Sequence, residues 1–415
     1  MKYINFYISV WIESQAHQGR QRKRPKISMS ELKPRTYVKN LTGVRAYASL
    51  WIVLFHYNAS SLLQISALPL QHLFYQGRLA TDFFLILSGF VISYIYYDRM
   101  PEFRLAQYLQ FLLKRFARLY PLHILTFLIF VLFFVAMKLV GAEPQNPDQF
   151  SLTSAVLNIV MLHAWIPATQ LSWNFVSWSV SAEWFAVLVL FVFVITGWRK
   201  WSQIDRLGLI TLLFSLYITH IADAWLPSRL VRMSFAFLYG AWLFHALPWF
   251  RGGSEKVWNA ILAGTIVLIS LIVAGAAYDD RVFIVVPLWG LLILGLFKAG
   301  ALSERVFANS LVMKLGEISF STYLIHGVLT KVLFHIDLST ASYARWLKMV
   351  SPYILLPLAL AITLAISYAV HIYFELPARD FVLAKGTKLL ATADRLAKSF
   401  MNRSPNSAKK TVLIL

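Results

Sequence analysis

Ten long apolar runs dominate this 415-residue chain and constrain its fold more than any other feature. They lie near residues 42–64, 78–97, 121–140, 178–198, 207–225, 230–247, 257–277, 282–300, 315–335 and 351–375. About 20 apolar residues suffice to cross a bilayer as a helix, and in lipid only a helix or a closed barrel satisfies its own backbone. The pattern therefore predicts an all-α, polytopic integral membrane helix bundle with about ten transmembrane helices. Composition agrees, since 58% of the residues are apolar against roughly 45–50% in soluble domains. The chain has no Cys, which excludes a thiol nucleophile, a Cys-ligated metal and any disulfide.

An even number of spans puts both termini on one side. With both termini cytoplasmic, the inner segments 1–40, 98–120, 199–206, 248–256, 298–314 and 376–415 hold 30 of the 39 basic residues. The longest outer loop, 141–177, has no Lys or Arg but carries Glu143 and Asp148. This is the charge bias of a cytoplasmic face, and it accounts for the net charge of +20 without a nucleic-acid partner. The chain then divides into a basic tail at 1–40, a transmembrane domain at 41–380 and a basic tail at 381–415. Both tails are expected to be disordered or to bind the surface of anionic lipid. Met1 to Trp11 lacks the basic start and cleavage site of a signal peptide, and Met29 is an alternative start that leaves all ten spans intact.

Two segments depart from plain spans. Asp98 to Tyr120 interleaves Phe103, Leu109, Leu112, Leu113 and Phe116 with Arg104, Lys114, Arg115 and Arg118, a pattern expected to lie along the membrane interface. Ser151 to Trp165 is apolar but short and reads as re-entrant or interfacial.

Ionisable groups within spans are costly and functional by default. Arg45 and His56 share one such run with ten residues between them. Eleven helical steps of about 100° return to within roughly 20° of the same face, about 16 Å further along. A fixed cation and a titratable imidazole therefore occupy one lane of one helix. Asp82 sits in the second run, where it could orient His56 or form a buried staple with a histidine or an arginine. Arg115 and Arg118, three apart, share a helix face and suit phosphate or a lipid headgroup. Glu183 lies four residues after Ser179 and either binds substrate hydroxyls or polarises His56; Ser177 or Ser179 reads as a helix N-cap. Ser319, Thr322, Tyr323 and His326 form a polar stripe in the ninth run. Glu375 is expected to pair with Arg379. His72, His123, His163, His220, His245 and His335 are read as interfacial or satisfied within the bundle.

In this order the motifs resemble acyltransferase family 3, polytopic O-acyltransferases acting on sugars, from about Leu41 to Arg379. The likeness rests on Arg45 with ten residues to His56, Thr81-Asp82-Phe-Phe…Ser88-Gly89-Phe90, Arg115…Arg118…Pro121, Trp178-Ser-Val-Ser-Ala-Glu183, Gly316-Glu-Ile-Ser319…Tyr323-Leu-Ile-His326 and Glu375-Leu-Pro377. Two positions depart from the pattern: Lys114 replaces an arginine and Trp184 a second acid. The resemblance implies a protein of the bacterial inner membrane that uses acyl-CoA, most often acetyl-CoA, as donor and a lipid-linked or exported glycan as acceptor. It implies His56, Asp82 and Glu183 as catalytic residues and Arg45, Arg115 and Arg118 as donor-binding residues. Trp178, Ser181, Tyr323 and His326 would contact the acceptor, and no metal is expected. Beside the donor and the carbohydrate acceptor, membrane lipids are the expected partners. The competing class is a proton-coupled transporter or glycan carrier built on the same intramembrane His, Asp and Glu. Against it, the chain shows no inverted repeat.

Overall fold

A computed structural model describes residues 37–59, 65, 67–141, 147–169, 171–219, 228–250, 252–276, 280–334 and 349–403. The first 36 residues, and with them the choice between Met1 and Met29, lie outside these. All regular secondary structure among the described residues is helical. The principal helices are α1 (Lys39–Asn58), α2 (Ala80–Tyr96), α3 (Leu105–Leu139) and α4 (Trp178–Phe185, prolonged through Thr196), then α5 (Gln203–Thr219), α6 (Ser228–Ala246) and α7 (Glu255–Gly275). After them come α8 (Leu288–Lys298), α9 (Ser319–Phe334), α10 (Pro352–Val370) and α11 (Leu376–Arg403).

Six of the described helical stretches are long and apolar enough to cross a membrane, or seven if the bent pair Val282–Lys298 and Ala301–Phe307 forms one span. The chain is therefore a multi-pass membrane protein. The count falls below ten for reasons visible in three helices. α1 has 20 residues, but Lys39, Asn40, Arg45, His56 and Asn58 lower its mean hydropathy. α5 and α9 are described over 17 and 16 residues, up to Thr219 and Phe334, where the described residues end.

Three local outcomes differ from the sequence reading. Asp98 to Tyr120 is not a separate interfacial segment, because from Leu105 it runs without interruption through Pro121 into the third span as the 35-residue α3. Such a helix is about 52 Å long, well beyond the roughly 30 Å hydrocarbon core, so its basic half extends past the apolar one. The ninth run breaks at Ile318, where the helix Ser310–Glu317 ends and α9 begins; Gly316 there lies against the backbone of Thr42, which leaves no room for a side chain. At the C-terminus, α10 passes through a π-helical turn, His371–Glu375, into α11. Of the two states expected for the tail after 380, disorder does not hold up to Arg403, because the chain is helical that far, and Gly386 rests on Leu113 of α3.

The core is built around α2 and α6, which run parallel. A Cβ at Gly89 would overlap the backbone of Phe237, and one at Gly240 would overlap that of Ile86. Small residues let the two backbones touch. Ser151 to Trp165 folds as the short helix Leu152–Ile159 followed by tight turns. It is anchored on protein: His123 Nε2 donates to Asn158 O at 2.8 Å, and Ser181 Oγ donates to Met161 O at 2.7 Å.

Candidate active site

α1, α2, α3, α4 and α9 enclose a cavity of about 140 Å³. Thr81 and Ile92 both line it, so it follows α2 for eleven residues, about 16 Å. That is the same axial distance that separates Arg45 from His56 on α1. Arg45, Arg115 and Arg118 line it together with a single carboxylate, Glu183. None of these arginines has a hydrogen bond or an ion pair within 4 Å among the described residues. Arg115 is held only by the faces of Phe111 and Tyr96, at 5.7 and 5.9 Å. Glu183 Oε1 accepts from Ser88 Oγ at 3.4 Å. Three guanidiniums facing one carboxylate in a partly enclosed space leave an excess of positive charge there, and their mutual repulsion would fall if an anion entered.

Tyr323 closes one wall of this cavity. Its hydroxyl donates to Val176 O at 2.8 Å and accepts from Ser179 Oγ at 2.9 Å. Its ring packs edge-on against His326 at 5.6 Å between centroids. His326 in turn meets His56, with Nε2 3.1 Å from His56 Nδ1 and ring centroids 5.0 Å apart. Neighbouring carbonyls set the tautomers. His326 Nδ1 is 3.1 Å from Thr322 O, so it carries a proton and leaves Nε2 as acceptor. His56 Nδ1, 3.1 Å from Ile52 O and facing that acceptor, carries the second proton. The basic lone pair of His56 therefore lies on Nε2. Phe175 covers the same imidazole at 5.1 Å. The pairing of His56 with His326 was not foreseeable, because residue spacing carries no information about contacts between helices.

Asp82 is not brought to His56. It is fully buried, and its two oxygens accept from Arg232 Nε and Nη2 at 2.6 and 2.7 Å, with Tyr217 OH at 3.3 Å from Oδ1. One step along α2 turns a side chain by about 100°, so Thr81 faces the cavity while Asp82 faces α6. Of the two readings open for Asp82, the geometry is that of the Asp–Arg staple. The reading had not singled out Arg232, although a lone arginine within the 230–247 run was a signal for it. Glu183 likewise faces Ser88 and the arginines of the cavity, while His56 meets the imidazole of His326.

The remaining candidates fall in different places. Trp178 lies under the guanidiniums of Arg232 and Arg229, at 5.2 and 5.4 Å. Ser181 is buried and holds the 161–164 turn, accepting from Ala164 N at 3.0 Å, so it faces the packed loop and not the cavity. Ser179 bonds Tyr323, and Ser177 supplies no side-chain cap. Glu375 does not pair with Arg379: its Oε2 is 2.8 Å from His371 Nδ1 and 2.5 Å from Ser321 Oγ, while Arg379 pairs with Asp380 at 2.9 Å. The π turn sets this register. Among the described residues no group of three or more His, Asp or Glu side chains could hold a metal ion.

The described residues thus place an arginine-lined cavity and an imidazole pair on the two sides of Tyr323. The family comparison gives the bundle a class: the acyltransferase domain model matches residues 38–372, and the chain belongs to acyltransferase family 3. The chain is 30% identical over 148 residues to acyltransferase MdmB of Streptomyces mycarofaciens, covering 35% of this chain and 36% of the relative. It is 32% identical over 120 residues to protein 2 in the picA locus of Rhizobium radiobacter, covering 29% and 57%. The matched stretch is thus about a third of one relative's length and just over half of the other's. No solved structure matches the chain.

Proposed function

We propose that the protein transfers an acyl group, in the simplest case acetyl, from cytoplasmic acyl-CoA to a sugar hydroxyl of a lipid-linked or exported envelope glycan. One observation carries the reading: three unpaired guanidiniums line a cavity whose Tyr323 wall backs onto the His56–His326 pair. Guanidinium forks match phosphate, and a cavity of about 140 Å³ suits the slender acyl arm, with the nucleotide left at the mouth. Family membership and the acyltransferase relative support the same chemistry. The positive-inside bias puts the arginine end toward the cytoplasm, where acyl-CoA is found.

In this reading His56 Nε2 takes the proton of the acceptor hydroxyl as its oxygen attacks the thioester carbonyl, and returns it to the departing thiolate. General-base help of this kind is worth about 10²–10⁴-fold. His326 holds the imidazole in the reactive tautomer. His56→Ala should abolish transfer of labelled acetyl from acetyl-CoA while leaving membrane abundance intact; unimpaired acetylation would refute the assignment. The same nitrogen could instead carry the acyl group. A stoichiometric burst of CoA without acceptor would mark an acyl-imidazole, and its absence direct transfer.

A further inference from the structure

The proposed reaction passes through a tetrahedral intermediate, whose oxyanion needs hydrogen-bond donors. Arg45 is eleven residues from His56 on α1, about 16 Å away, too far to serve at the same carbon. One residue before the Phe175 ring that packs on His56, however, stands a buried amide with no hydrogen-bond partner among the described residues.

Asn174 is 1% exposed, and among the described residues neither its Nδ2 nor its Oδ1 has a hydrogen-bond partner. It occupies the N-cap position of the turn Phe175–Ser177, where an Asn side chain normally caps the backbone, yet it makes no cap bond. Instead the amide lies against α9 next to His326: a Cβ at Gly327 would fall 2.6 Å from Asn174 Oδ1. The next residue, Phe175, lays its ring on His56. The preceding residue, Trp173, has a left-handed backbone with φ of 52°. Its indole donates to Ser154 Oγ at 3.0 Å and packs on Phe127 at 5.3 Å. The chain is thus pinned on both sides of an amide that gains nothing from its own surroundings. A buried polar group left unsatisfied destabilises the fold, and such groups call for an explanation.

The geometry points to Asn174 as the amide donor that receives the thioester carbonyl oxygen beside the His56–His326 pair. The inference rests on the reading above. As the acceptor oxygen bonds to the carbonyl carbon, the carbonyl π pair moves onto oxygen, where the Asn174 amide N–H meets it, and the proton goes to His56 Nε2. Collapse of the intermediate breaks the C–S bond, and the CoA thiolate leaves with that proton. The glycine at 327 gives the amide its space.

The test compares full-length Asn174→Leu, Asn174→Ala, His56→Ala and the native protein for acetyl transfer from acetyl-CoA and for thermal unfolding in detergent. The expected result is a kcat about 10²–10³-fold lower in both Asn174 variants, the range for loss of one oxyanion donor. KM for acetyl-CoA should be unchanged and the melting temperature the same or higher, because an unpartnered amide has been removed. A structural residue would show the opposite pattern, with lower stability, and a melting temperature that falls in both variants would overturn the proposal. Near-native kcat in Asn174→Leu alongside a dead His56→Ala would overturn it while the function above stands. A fully active His56→Ala would instead remove the reaction itself, and the donor role with it.

Discussion

Around the cavity, Arg45, Arg115 and Arg118 face one carboxylate and have no ion pair among the described residues. Beside α6, Asp82 and Arg232 close a bidentate pair at 2.6 and 2.7 Å, completed by Tyr217. Both are intramembrane charge clusters, and sequence alone gives them equal weight. The paired cluster has met its electrostatic needs internally and holds α2, α5 and α6 together. The unpaired cluster keeps its charge unanswered in a space large enough to admit a ligand. Within one bundle, the satisfied cluster reads as structural, and the unsatisfied one carries the proposal of donor binding.

That contrast can be broken most forcefully at Asp82. Asp82→Ala leaves the Arg232 guanidinium without its counter-charge, and breaking a buried pair in this way costs about 3–5 kcal/mol. A marked drop in melting temperature and membrane abundance is expected, restored in part by Asp82→Leu with Arg232→Met. An Asp82→Ala protein that is stable but inactive would return the carboxylate to catalysis. Arg115→Ala or Arg118→Ala should do the reverse. Each removes one charged hydrogen-bonding group worth about 1.5–3 kcal/mol to the ligand, a roughly 10- to 150-fold weaker acyl-CoA affinity by titration. Stability should hold or rise, since repulsion is relieved. Tyr323→Phe should have a smaller effect: it frees Val176 O and Ser179 Oγ, at a cost of about 1 kcal/mol per hydrogen bond, and should shift KM by a few fold. Arg379→Ala, which removes only the exposed pair with Asp380, should change neither the melting temperature nor KM.

Much of this site was legible because helical periodicity is rigid. The Arg45–His56 spacing, the Arg115–Arg118 face and the Ser179–Glu183 step each put the residue on the surface that the structure uses or brings near it. Arrangements that depend on contacts between helices were not legible. Nothing in the spacing of α1 and α9 shows that His56 meets His326, and nothing in α2 shows that Asp82 turns from His56 toward Arg232. Asn174 escaped for a different reason: within a polar loop, an asparagine before a turn reads as a cap. Its significance comes from the bond it does not make. The ten-span frame met a similar limit at α1, where polar residues separate a helix in the bundle from one that qualifies as a span by its own composition.

The central claim is that the unpaired arginines hold the donor. Titrating CoA into the purified full-length protein tests it directly. The account predicts one saturable site, retained in His56→Ala and lost in Arg45→Ala/Arg115→Ala/Arg118→Ala while that variant melts no lower than the native protein. Equal CoA affinity in the native and triple-variant proteins would contradict it.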